Sequence, residues 1–227
     1  MWNGKLKAIT ISSDDGVLQD KKFVQLIEKY NICCTFNINS GMMYNDCVWI
    51  SKNVEIRRMT AEQCLNILSN KDIAAHTLTH PDLNTLDDYM IERQIVGDIV
   101  NLEHLFKKRI NGLALPGGTN DPRIPGICKK FNIGYVRSSK TDGTFNLPKN
   151  RYDISSTAKY TDADIFKLAD EFFKLEPDRP LLFSLYGHSY ELDYNNSWDR
   201  IEEFFKFISN REDVFYGSNY ETYYPFL

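Results

Sequence analysis

Short apolar runs alternate with longer amphipathic segments along nearly the whole 227-residue chain, and this alternation restricts the fold more than any other feature. Residues 6–12 (LKAITIS) read as a buried strand, and 19–30 place Phe23, Leu26 and Ile27 at helical spacing. A strand is expected at 31–38. A helix is expected at 60–70, opened by Thr60 and Gln63 in a capping-box pattern. A short strand at 72–76 runs into two histidines. The longest helix is expected at 85–109, with Thr85 as N-cap and Ile91, Ile95, Ile99, Leu102 and Leu105 as its apolar stripe. Further strands are expected at 112–118, 133–138, 180–188 and 213–218, and further helices at 121–131, 161–175 and 197–210. About seven strands separated by helices imply a parallel sheet covered by helices. A barrel and an open doubly wound sheet both fit. No GxGxxG follows a strand, so a dinucleotide-binding fold gains no support.

The length suits one large domain, and no stretch resembles an interdomain linker, so residues 1–227 are expected to form a single domain. A net charge of −4 gives no electrostatic reason to expect nucleic acid or an anionic membrane as partner. The five cysteines contain no CxxC. Cys33, Cys34 and Cys64 fall in apolar segments, so reduced, buried thiols are expected rather than disulfides or a thiolate zinc site. The N-terminal segment lacks the pattern of a signal peptide, and no apolar run reaches the roughly 20 residues of a membrane span. The chain reads as cytoplasmic, although an exported protein without its leader would read the same. Nothing in the sequence sets the oligomeric state.

In parallel α/β folds, chemistry collects at the C-terminal ends of the strands. The first strand ends in Asp14-Asp15-Gly16, the strand at 72–76 in His76 and His80, the next in Pro116-Gly117-Gly118, and the apolar strand at 180–188 in His188. Three of the four histidines and an aspartate pair thus share one end of the sheet. The fourth, His104, lies mid-helix beside Lys107 and Lys108 and reads as a surface residue. Each motif alone is a weak signal; Asp-Asp-Gly most often marks a turn. Together they supply two imidazoles and a carboxylate for a divalent ion, a second carboxylate as base and a third histidine as acid.

The order SSDDG, HTLTH, LALPGG, SLYGH resembles carbohydrate esterase family 4, the polysaccharide deacetylases with a NodB-type domain, over about residues 6–220. The resemblance implies an α/β fold, specifically a distorted (β/α)7 barrel related to the TIM barrel. It implies that Asp15, His76 and His80 bind a metal, usually zinc, with cobalt, nickel or manganese as alternatives. Asp14 would be the general base and His188 the general acid in hydrolysis of an N- or O-acetyl group on a carbohydrate. A backbone N–H near Gly117, in the Pro116–Gly118 loop, would help hold the oxyanion.

Two departures stand out. The family's third motif is usually RxPxG, but here Ala114 occupies the arginine position; Arg137, at the end of the next strand, is the substitute to test. The Asp-Trp pattern of the fourth motif is absent, leaving Asp153 and Glu191 as residues to orient His188. Tyr186 and Tyr190 are candidates to stack on a sugar ring, with packing at the strand end as the alternative. Two other functions compete with a deacetylase: a related amidohydrolase acting on a small non-sugar C–N bond, and a non-catalytic sugar-binding relative.

Overall fold

The structure, a computed structural model, describes residues 2–44, 46–119 and 121–224. Its elements in chain order are β1 (Lys7–Asp14), α1 (Asp20–Lys29), β2 (Cys34–Ile38), β3 (Val48–Ser51), β4 (Val54–Arg57), α2 (Ala61–Leu68), β5 (Asp72–Ala75), α3 (Asp88–Phe106), β6 (Gly112–Ala114) and α4 (Ile124–Lys130). There follow β7 (Tyr135–Thr141), β8 (Ile154–Ser156), β9 (Ala158–Lys159), α5 (Ile165–Lys174), β10 (Leu181–Gly187), α6 (Ser189–Tyr194), α7 (Trp198–Ile208), β11 (Val214–Tyr216) and α8 (Asn219–Tyr223).

β1 is buried at every position, as is β10, its parallel partner from Lys7↔Leu181 to Ser13↔Gly187. On the other edge of β1, β11 pairs with residues 7–9 and β2 with residues 11–14. The sheet then runs β2, β5, β6, β7, β8, every pairing parallel. β8 and β9 are separated only by Thr157; β8 pairs with β7 and β9 pairs with β10. One interrupted strand therefore joins the two ends of the sheet and closes it into a ring. Eight strands lie on the path from β8 to β9, and counting β8 and β9 as one stave leaves seven. This is the distorted (β/α)7 barrel, and the open doubly wound sheet is excluded. The distortion lies in the interrupted stave and in β1, whose one edge is shared by two strands.

Phe23 of α1, Ile91 of α3, Phe172 of α5 and Phe205 of α7 join Phe36 and Phe183 of the sheet in one apolar cluster. Full burial of each such side chain contributes roughly 1.5–3 kcal/mol. Among the described residues, no helix is long and apolar enough to cross a membrane.

Several expectations need correction. α3 is capped by Asp87, whose carboxylate accepts from Met90 N, and not by Thr85, which closes a short 3-10 turn. α3 stops at Phe106 because Lys107 is left-handed (φ 54°). The strand expected at 112–118 ends at Ala114. Cys33 is exposed, whereas Cys34 and Cys64 are buried; all five thiols are free. The antiparallel β3–β4 hairpin was not anticipated.

Candidate metal centre and active site

β1 leaves the sheet through two left-handed residues, Asp15 (φ 86°) and Gly16 (φ 65°). Aspartate tolerates this conformation better than most side chains. Both carboxylates of Asp14 and Asp15 stay at the strand tip and are buried.

His76 follows β5 directly. Asp98 of α3 accepts its backbone N–H at 2.8 Å, and Asn39 donates to its carbonyl. The chain then turns through Thr77 (φ 70°) to His80 (φ 55°), so the paired histidines sit on a loop rather than a helical turn. Their rings still meet edge-to-face at 4.9 Å. His76 Nδ1 lies 2.9 Å from the Ala114 carbonyl, which fixes the proton there and leaves the Nε2 lone pair free. That Nε2 is buried and has no hydrogen-bond partner. Asp15 Oδ1 lies 3.7 Å from Nε2 of both His76 and His80. Ligand atoms of the three residues all fall within 4.8 Å of one another. A buried, unpartnered imidazole nitrogen facing a carboxylate and a second imidazole fits a divalent ion, and the N/O donor set suits zinc and its first-row neighbours.

Burial lowers the His76 pKa to about 4, so the ring is neutral near pH 7 as a ligand must be. Asp15 is held well below the usual carboxylate range: burial opposes this, but Arg58 and the three surrounding histidines outweigh it. Arg58 Nη2 is 3.0 Å from Asp15 Oδ1, and Nη1 also binds the Asp15 carbonyl and Asn39.

Arg137 is fully buried, and its Nη2 contacts both oxygens of Asp14 at 2.6 Å. Asn37 donates to the same carboxylate at 2.7 Å. Burial raises the Asp14 pKa, but Arg137, His76 and His188 together outweigh it and keep the carboxyl ionised. On β7, Arg137 is the register partner of Ala114. The guanidinium thus enters from the stave beside the one where the family carries its arginine.

His188 sits at the tip of β10, its Nε2 3.8 Å from Asp15 Oδ2 and its Nδ1 3.5 Å from Glu191. Burial pulls its pKa down, but Glu191, Asp15 and Asp14 prevail and push it up to about 9. Asp153, the other residue expected to orient His188, instead pairs with Lys140 at the surface. It lies in the turn that precedes β8, at the end of that strand opposite the cavity, whereas Glu191 lies one helical turn beyond His188. Tyr190 stacks on His188 and donates to Asp15 Oδ2 at 3.3 Å. Tyr186 is buried, its hydroxyl bound to the Ser139 carbonyl.

Pro116 is buried, while Gly117 (φ 59°) and Gly118 (φ 77°) border the cavity in conformations that favour glycine. The cavity, about 390 Å³, brings Asp14, Asp15, His76, His80, His188 and Tyr190 together with Leu115, Ser139, Lys159 and Tyr186. Arg58, Asn37, Asn39, Asp98 and Lys159 escaped the sequence reading. For Asn37 and Asn39 a signal existed: two polar residues at i, i+2 on the tip of an apolar strand share one face.

Fold and site define an α/β-barrel protein with a carboxylate–imidazole centre at the C-terminal ends of its strands. A family profile described as polysaccharide deacetylase matches residues 3–136, and the chain belongs to that family. A comparison with curated proteins gave no match. Among solved structures, the peptidoglycan deacetylase PdaC from Bacillus subtilis superposes with TM-score 0.59 at 14% identity, covering 96% of this chain and 90% of that one. A CE4-family pseudoenzyme from Bacillus anthracis gives TM-score 0.56 at 14% identity, covering 96% and 66%. The Streptococcus pyogenes deacetylase PplD, in complex with acetate, gives TM-score 0.50 at 16% identity over 57% of this chain; the chain spans 55% of its length.

Proposed function

We propose that the protein is a metal-dependent hydrolase that removes N- or O-acetyl groups from a carbohydrate. The observation that carries this reading is the convergence of Asp15, His76 and His80, with the Arg137-bound Asp14 at the same strand tip and His188 across the cavity.

Asp15, His76 and His80 would hold the ion, zinc first by donor type, with cobalt, nickel or manganese as alternatives. A bound divalent ion would supply Lewis acidity, making water acidic and polarising the acetyl carbonyl. Asp14, ionised and clamped by Arg137, accepts the proton of the attacking water. The clamp lowers its basicity but fixes its position. His188, protonated and facing Glu191, delivers a proton to the departing nitrogen or oxygen. Gly117 borders the cavity, and its backbone N–H would help hold a tetrahedral oxyanion formed there.

The test is acetate release from a panel of acetylated sugars and polymers, with metal stripped and restored, beside a panel of cyclic amides. Metal-restored release of acetate is expected, and Asp14→Asn should retain the metal while losing turnover. A protein that binds no divalent ion and frees no acetate would sink the proposal. Turnover of cyclic amides alone would transfer it to the amidohydrolases.

A further inference from the structure

The cavity contains one cation whose purpose the deacetylase chemistry does not explain. Arg137 is committed to Asp14 and Arg58 to Asp15. Glu191 faces His188. Lys159, at the tip of β9, also lines the cavity. It is half-buried, and its Nζ makes no ion pair or hydrogen bond among the described residues. The Nζ lies 5.7 Å from the centroid of the Tyr186 ring, whose other cationic neighbour is Arg137 at 4.5 Å.

The backbone holds Lys159 in this place. It is the register partner of Tyr186 on β10, and paired residues of neighbouring strands point to the same face. His188, two residues beyond Tyr186, continues toward the same end of the sheet. Asp162 accepts the Lys159 backbone N–H at 2.9 Å and closes the turn beneath it. The Lys159 charge also acts on Glu191, without touching it.

A half-buried ammonium group that makes no hydrogen bond or ion pair keeps its donors open to an incoming anion. Asp14 and Asp15 each already contact an arginine, so a bound divalent ion would make the cavity more positive still. A neutral acetylated sugar gives Lys159 nothing to pair with.

Resting on the deacetylase reading, we propose that Lys159 is a specificity residue that receives an anionic substituent, a carboxylate or a phosphate, carried by the acetylated sugar. The preferred substrates are then acidic or phosphorylated sugar derivatives rather than neutral ones.

The zinc-loaded protein and its Lys159→Met and Lys159→Arg variants would be assayed on N-acetylglucosamine 6-phosphate, N-acetylglucosaminuronate and neutral N-acetylglucosamine oligomers. For the better anionic substrate, kcat/KM should exceed that of the neutral one by about tenfold. The ratio should collapse toward one in Lys159→Met, chiefly through KM, and persist in Lys159→Arg. The phosphate and carboxylate arms identify the source of the charge. A wild-type ratio of one or below overturns the proposal. So does an unchanged ratio in Lys159→Met, which is what a purely structural role through Glu191 would give. Calorimetry on the zinc-loaded Asp14→Asn protein reads the same preference without turnover. Equal affinities for the charged and neutral sugars, or no binding of either, overturn the role of Lys159. Failure of acetate release from every sugar, with the affinity difference intact, overturns the deacetylase reading instead.

Discussion

Arg137 and Asp14 are 123 positions apart in the chain yet form a buried, two-oxygen ion pair. Removing the guanidinium leaves a buried carboxylate unpaired, which costs about 3–5 kcal/mol. Arg137→Ala should therefore unfold at markedly lower denaturant and lose about a hundredfold or more in kcat, because Asp14 is no longer held in place. Arg137→Lys keeps the charge without the fork and should fall between the two; an Arg137→Ala enzyme with wild-type kcat would remove the arginine from the mechanism. The acid limb depends on His76. Its pKa is lowered to about 4, so the ring is neutral above that pH and protonates as pH falls through it. Dialysed protein should accordingly lose its metal as pH falls through about 4, measured by metal analysis. The alkaline limb depends on His188, which must be protonated to act as acid. Its pKa is raised to about 9, so kcat should decline as pH rises through about 9, and Glu191→Gln should move that decline to lower pH.

At the scale of elements, Asp98 of α3 joins two pieces of the centre by accepting the backbone N–H groups of His76 and Ser40. Asp98→Ala should weaken metal binding by about 10–100-fold, as loss of a supporting hydrogen bond behind a ligand does, and competition with a chelator would measure it. The capping box of α2 was legible because Thr60 and Gln63 satisfy each other's backbone through local spacing alone. Thr85 was mistaken for the cap of α3 because the true cap, Asp87, lies two residues on in a segment rich in polar residues. β3 and β4 escaped because four-residue strands with partly exposed faces carry little periodicity. β8 and β9, three and two residues long, are shorter than any sequence pattern can resolve. Asp15, His76 and His80 could be singled out because Asp15 follows the long apolar β1 and the two histidines follow β5 in an HxxxH spacing. Arg58 could not be, because nothing in EIRRM distinguishes this buried arginine from its less buried neighbour Arg57.

At the scale of the whole molecule, the ligands of the proposed ion come from two separate strand tips, so binding should staple β1 to the loop after β5. An ion at a hundred times its Kd adds about 2.7 kcal/mol to stability. For a protein of this size, that raises Tm by several degrees. Scanning calorimetry with zinc and with chelator would read the difference, which should vanish in Asp15→Ala. The superpositions on two deacetylases and a CE4-family pseudoenzyme, all at 14–16% identity, agree with a fold maintained by strand patterning rather than by particular core residues. The closure of that fold has a consequence for biosynthesis. β1 is made first but cannot be covered along one edge until β10, from Leu181 onward, has been made. Until then the nascent chain presents an apolar strand with unpaired backbone groups, a template for association with other chains. His188 emerges from the ribosome immediately after the strand that completes this pairing. The seven-stave ring and the last residue of the proposed centre are thus made within a few residues of each other, while β11, on the other edge of β1, follows only at Val214–Tyr216.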